Sequence, residues 1–214
     1  EALGGVEALN DLRSLKKSGT FAYNGLEHPL TVYQERPAKI RYEIEGLVPW
    51  APEVARDRTQ IRAYDGTSAW WLGASDSPEA EAAEDFVAAE LIEASDFDGP
   101  LVDAREDDTI ELVGRDELEG TEVLHLRYQA AGGRVQHWYL DAASYLPVAR
   151  RVELAEQNPQ AGQLWVYDDW REVGGVMVPF YVMVEELLFS REHLYDSIEA
   201  NVEIDDALFA MPSD

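Results

Sequence analysis

The sequence predicts a mainly β fold of the α+β kind, an antiparallel meander covered by two amphipathic helices. The strongest observation is strict alternation over residues 39–45, where Ile40, Tyr42 and Ile44 face one way. Lys39, Arg41, Glu43 and Glu45 face the other, the period-two signature of a strand with one buried and one wet face. A second observation is the punctuation by Asp65-Gly66, Gly120, Gly132-Gly133 and Gly174-Gly175, which divides the rest into strand-length runs. The third is that helical periodicity is confined to two segments.

The first of these covers residues 4–19. Val6, Leu9, Leu12 and Leu15 form an apolar stripe, Lys16 and Lys17 suit the negative end of the dipole, and Gly19 offers a cap. Alternation follows in Phe21 and Tyr23, then in Leu30, Val32 and Gln34. Arg36-Pro37 separates this run from the 39–45 strand, at a place where the missing N–H of proline does least harm. Residues 46–58 hold Pro49, Pro52 and Trp50 and read as a long connection. It is either a surface excursion with a tucked tryptophan or a lip beside a pocket.

A strand through Ile61 leads to the Asp65-Gly66 turn and then to Trp70, Trp71 and Leu72. The second helix is expected over 78–94, with Ser77 as N-cap, Pro78 in the first turn, and Glu79 and Glu81 at the positive end. Phe86, Val87, Leu91 and Ala94 supply its apolar side, and carboxylates and alanines the other. Strands are then expected over 109–114, 121–129, 134–141, 146–154, 163–170, 177–186 and 193–204. No repeat period appears, which excludes a propeller or solenoid.

A length of 214 residues suits one domain spanning 1–214 with a substantial core. No apolar run reaches the length of a membrane span, so the expectation is not an integral membrane protein. The chain opens at Glu1 with no apolar leader, and a signal peptide is expected to have been removed or trimmed. Cysteine is absent, which excludes disulfides, thiol catalysis, thiolate metal sites and a lipid-modified cysteine within these residues. The net charge of −26 argues against nucleic acid and anionic lipid headgroups as partners. Acid spread along the whole chain reads as a solvated surface adapted to high salt, ahead of a docking face for a basic partner.

Catalytic patterns are missing: there is no nucleophile elbow, zincin motif, phosphate loop or dinucleotide fingerprint. His125 and His137 flank the turn at 130–133 and fall on one nominal face. Two imidazoles could begin a metal site, but spacing fixes no third ligand, and an ordinary surface pair is the expectation. The acid runs at 106–108 and 168–169 lack the alternating oxygens around a glycine that a calcium loop needs. No catalytic residue, metal or cofactor is expected, and a hydrolase using two carboxylates that meet in space is the weakest alternative.

Arg36-Pro37 ahead of a strand, followed by Tyr64-Asp65-Gly66 and Trp70, resembles the periplasmic outer-membrane lipoprotein carriers of the LolA-like and LolB-like family. Leu140-Asp141 before Leu146-Pro147, Tyr167-Asp168-Asp169-Trp170, Gly174-Gly175-Val176 with Pro179, and Asp206-Ala207-Leu208-Phe209 before Pro212 extend the resemblance in order along the chain. It implies an antiparallel sheet curled into an incomplete barrel, with helices covering its apolar concave face as a lid. It also implies a non-enzymatic, monomeric carrier that receives lipoprotein acyl chains from a membrane-bound donor and passes them to an acceptor.

Carried onto this chain, Arg36 matches the arginine that holds the lid closed. Ile40, Tyr42, Ile44, Ile61, Trp70, Leu72, Phe86 and Leu91 are the expected cavity lining. The long 46–58 segment and the acidity depart from the family pattern, leaving a free lipid or another apolar ligand as alternative cargo. A sensor or protein-interaction module on the same scaffold, with a filled core, is the second reading.

Overall fold

A computed structural model describes residues 1–46, 59–73, 79–97, 99, 101–102, 106–153, 162–186 and 189–212. A short helix α1 (Val6–Asp11) precedes strands β1 (Ser14–Tyr23), β2 (Leu26–Glu35), β3 (Lys39–Glu45), β4 (Thr59–Tyr64), β5 (Ala69–Leu72) and β6 (Glu81–Ala82). Helix α2 (Asp85–Ser95) follows. Strands β7 (Thr109–Leu118), β8 (Thr121–Gln129), β9 (Val135–Asp141), β10 (Pro147–Glu153), β11 (Gly162–Val173), β12 (Val176–Glu185) and β13 (Ser190–Ala200) then complete the sheet.

All thirteen strands form one antiparallel sheet in the order β6-β5-β4-β3-β2-β1-β13-β12-β11-β10-β9-β8-β7. The sheet is curled but unclosed, an incomplete barrel as expected. Two meanders grow outward from the central seam of β1 and β13. The chain passes from one outermost strand, β6, to the other, β7, through α2. That connectivity puts α2 between the two free edges.

The predicted first helix is corrected. It ends at Asp11, and Leu15, Lys16 and Lys17 belong to β1. Leucines three apart fit either a helix or a strand entered after a turn, and here the sheet decides. β1 pairs with β13 on one side and β2 on the other, so its backbone groups are satisfied along both edges. Lys16 and Lys17, read as helix-end charges, instead point to opposite faces. Gly19 is no cap but sits at the bulge where the β1–β13 register shifts, and a Cβ there would lie 2.0 Å from the Leu194 carbonyl oxygen.

The second helix begins later than expected. Glu81 and Ala82 pair with Trp71 and Trp70 as strand β6, and the helix starts at Asp85 after an extended Glu84. The expected N-cap Ser77 and Pro78 lie outside the described residues, as does the 46–58 connection from residue 47 onward. β7 runs on to Leu118 and β11 spans Gly162–Val173, both longer than alternation suggested, whereas β13 stops at Ala200.

The main core fills the concave side: Leu9, Leu12 and Leu15 beside α1, Leu30, Val32, Ile40 and Ile44 on the sheet, and Val87 and Leu91 on α2. The C-terminal ends of both helices are held by neighbouring residues of one connection. Arg36 donates from Nε to the Leu12 carbonyl at 2.8 Å and from Nη2 to the Leu9 carbonyl at 2.9 Å. Gln34 donates from Nε2 to the Ala94 carbonyl at 3.0 Å. The Leu9 carbonyl also accepts from the Leu12 amide at 3.3 Å, and the two side chains add donors where intrahelical partners run out.

Candidate functional site

Between the concave face and α2 lies a cavity of about 1520 Å³, walled on one side by Trp138, Trp165, Tyr167, Val178 and Val182. A second void of about 30 Å³ adjoins it beneath α2, sharing Tyr42, Arg62, Val87, Glu90, Arg191 and His193 with the larger space. The small void holds about two water-sized atoms and no chain.

Register decides which predicted residues face these spaces, because directly opposed strand residues share a face. Val32 opposes Tyr42, Tyr42 opposes Arg62, and Arg62 opposes Trp71. Tyr42 lines both spaces, and Ile44 and Leu91 line the small void. Ile40 is fully buried in the core on that same side. The side chain of Phe86 lies outside the described part of α2.

Ile61, Trp70 and Leu72 are on the opposite face, which corrects the expectation that they share the inner one: Ile61 opposes Glu43 and Leu72, and Trp70 opposes Ala63. The physical reason is a second layer on the convex side. The 3-10 turn Asp206–Leu208 folds back over β3 to β5, and Trp70 Nε1 donates to the Phe209 carbonyl at 2.8 Å. Arg41 Nη1 donates to the Leu208 carbonyl at 2.6 Å, its guanidinium 5.7 Å from the Trp70 ring centre.

Sequence reasoning did not find the charges inside. Lys17 and Arg62 stand on the concave face in one row with Val32 and Tyr42. Arg191 and His193 face them from β13, opposite Tyr23 and Phe21. Burial lowers the Lys17 ammonium to about 8. Burial also lowers Arg62, with the neighbouring Arg191 charge adding to the effect. His193 is pushed down to about 3 by burial first and by Arg191 second, holding it neutral. The Tyr42 hydroxyl is raised by burial and then by Glu90, and the Tyr195 hydroxyl by burial. Lys17 Nζ sits 5.6 Å from the Tyr195 ring centre.

The carboxylates expected on the wet side of α2 instead reach across the cavity. Arg191 Nη2 donates to Glu90 at 2.6 Å and to Glu186 at 3.2 Å. Glu93 pairs with Arg150 on β10 and accepts from Arg134 Nη1 at 2.7 Å. Arg150 is further flanked by Trp165 and Trp138, at 4.6 and 5.2 Å from their ring centres. With its apolar side on β3 to β5 and its acids on β10 and β13, α2 is tied to both arms of the sheet.

His125 and His137 lie on the outer face, where their rings share a 2.8 Å hydrogen bond, and His137 Nε2 contacts Glu153 at the same distance. Burial, then His137, lowers His125. Among the described residues no group of three or more His, Cys, Asp or Glu is placed to hold a metal ion, and no helix is long and apolar enough to cross a membrane.

A curled, unclosed antiparallel sheet with a helix across its concave side and a large interior space defines a half-barrel. No protein-family model matches the sequence, and no curated protein does. Solved structures do match in fold. A putative outer membrane lipoprotein-sorting protein domain from Vibrio parahaemolyticus aligns with a TM-score of 0.61 and 8% identity, over 92% of this chain and 89% of that one. A LolA superfamily protein from Nitrosomonas europaea gives 0.57 and 12%, over 95% and 94%. A DUF1329 family protein from Desulfovibrio piger gives 0.55 and 12%, over 95% and 92%. The chain therefore has the LolA-like fold.

Proposed function

We propose that this chain is a non-enzymatic periplasmic carrier that holds the acyl chains of a lipoprotein, or of another lipid, in the cavity beneath α2. The observation that carries this reading is the cavity itself, about 1520 Å³, whose aromatic and aliphatic wall is interrupted by charged side chains. Close-packed interiors leave few voids larger than a water, and small-molecule sites span about 300–1,000 Å³, so this space suits a bulky apolar guest. Burying acyl chain there gains about 0.8 kcal/mol per methylene. The shared fold with a lipoprotein-sorting domain supports the same reading.

In this reading the whole of 1–214 acts as one monomeric unit, with α1 and α2 as its lid. Arg36, bonded to the end of α1 and stacked 5.1 Å from the Phe97 ring centre just beyond α2, keeps that lid closed. A membrane-bound donor loads the cavity and an acceptor empties it. Nucleic acid has no place in the scheme, given a net charge of −26.

The test is lipid extraction from the purified protein, together with titration by a fluorescent fatty-acid probe. Val182 faces the large space, so Val182→Trp should weaken probe binding about tenfold or more while the fold survives, since a cavity accepts volume that a packed core resists. Ile44 is less informative, because it is packed beneath Val87 and Leu91 beside the small void. A wild-type protein that yields no lipid and binds no probe would overturn the carrier reading in favour of an interaction module.

A further inference from the structure

The concave face carries more positive charge than its own carboxylates neutralise. Lys17 and Arg62 lie in one row of the sheet interior, with Val32 and Tyr42 between them, and neither has a carboxylate within ion-pair distance among the described residues. Arg191 shares Glu90 with this cluster and takes Glu186 only at the rim, where that side chain is 38% exposed. Arg62 Nε, Arg191 Nε and His193 Nδ1 are buried and reach no hydrogen-bond partner among the described residues. All three side chains line the small void that opens into the large cavity.

Unpaired interior cations are costly, and apolar residues of like size at these sheet positions would be as stable or more so. Leu15 and Phe21, two positions before and four after Lys17 on the same strand, show what a purely structural concave face uses. Arg150 and Arg134, also on the cavity wall, pair with Glu93, while Arg127 donates to Gln129. Lys17, Arg62 and Arg191 cluster together under α2.

We infer that the cavity receives an amphiphile with an anionic oxygen headgroup, carboxylate or phosphate, seated among Lys17, Arg62 and Arg191, its chain running along Tyr167, Val178 and Val182. This rests on the carrier reading and names the chemical class of its cargo. The guanidinium N–H groups and the ammonium donate charge-assisted hydrogen bonds to the headgroup, and the Tyr42 and Tyr195 hydroxyls, held protonated by burial, add neutral donors. Glu90 competes for Arg191, so the arriving headgroup also loosens one of the ties that hold α2. The acidic exterior does not forbid this, because surface charge is screened over about 8–10 Å in physiological salt while buried charge is not.

The test uses three fluorescent ligands with one polyene chain: the fatty acid, its methyl ester, and the phosphate monoester of the corresponding alcohol. At least one anionic ligand should bind about tenfold or more tightly than the methyl ester, the gain expected of charged hydrogen bonds. The tighter of the two anions identifies the headgroup. Lys17→Met and Arg62→Met, checked for folding by circular dichroism, should each shrink that preference, the anion losing affinity relative to the methyl ester.

Equal affinity for all three ligands would overturn the headgroup site and leave the carrier reading standing. A preference that persists undiminished in both variants would overturn the assignment to these residues. If none of the three binds, the carrier reading falls and this inference with it.

Discussion

Arg150 and Arg62 are both interior arginines on the concave face, one on each arm of the sheet, yet their surroundings differ in kind. Arg150 lies between two indoles and meets Glu93, which also takes Arg134. Arg62 stands between Tyr42 and Trp71 in the sheet, has no ion-pair partner among the described residues and is lowered by burial. The first charge completes a structural tie between α2 and β10. The second has no such carboxylate among the described residues, and the proposed headgroup would supply the anion. A buried cation is therefore informative about function according to its partners, not its depth.

The largest effect should come from breaking the completed pair. Glu93→Gln leaves Arg150 buried without its carboxylate, and denaturant unfolding should show a loss of about 3 kcal/mol. Adding Arg150→Met to that variant should recover most of it. A loss within the range of exposed ion pairs, under about 1 kcal/mol, would place Arg150 and Arg62 in the same class.

The next effect sharpens the comparison through pH. His193 faces Arg191 on its own strand, Lys17 on β1, Arg62 on β4, Tyr42 on β3 and Glu90 on α2. Its folded value of about 3 lies below the unfolded value of 6.5, so between them only the unfolded chain takes up a proton. Stability from this group is complete above pH 6.5 and is lost as pH falls toward 3. By pH 5 the loss should be about 2 kcal/mol, and His193→Gln should flatten that part of the profile. An unchanged slope in the variant would mean that other groups set the acid limit.

The smallest effect has the opposite sign. Arg62→Met should raise stability by about 1 kcal/mol in the absence of ligand, since an unpaired charge is replaced by apolar volume. A destabilisation there would show that Arg62 supports the fold as Arg150 does.

Much of the sheet was legible from sequence, because one wet and one dry face impose alternation. β3 matches its expected residues, and the Asp65-Gly66 turn forms with the Asp65 carboxylate accepting from the Thr67 and Ser68 amides at 2.8 and 2.7 Å. Alternation failed where both faces are covered. Over β4 and β5 the C-terminal segment buries Ala63 and Trp70 on the convex side as completely as the core buries Ile40 on the other. Ile61 then looked like the inward residue and Arg62 the outward one, the reverse of their placement.

Lys17 was hidden by the helical reading of its segment. Read as a strand, Leu15, Lys17 and Phe21 would have fallen on one face, and a lysine on a buried face is the signal that could have found the site. The net charge of −26 gave no sign of these interior cations, because a total says nothing about where they sit.

The central seam has a consequence for how the protein is made. β1 and β13 pair antiparallel, and the Arg13 amide bonds Asn201 across a separation of 188 residues. Such distant pairing forms slowly, because a long loop must close before any contact rewards it. As the chain emerges N-terminus first, Lys17 and Arg62 exist long before Arg191 and His193 have been added. The positive end of the cavity therefore cannot assemble on a growing chain. Until the last strand docks, the proposed headgroup site is incomplete and the nascent chain has no place to hold an amphiphile.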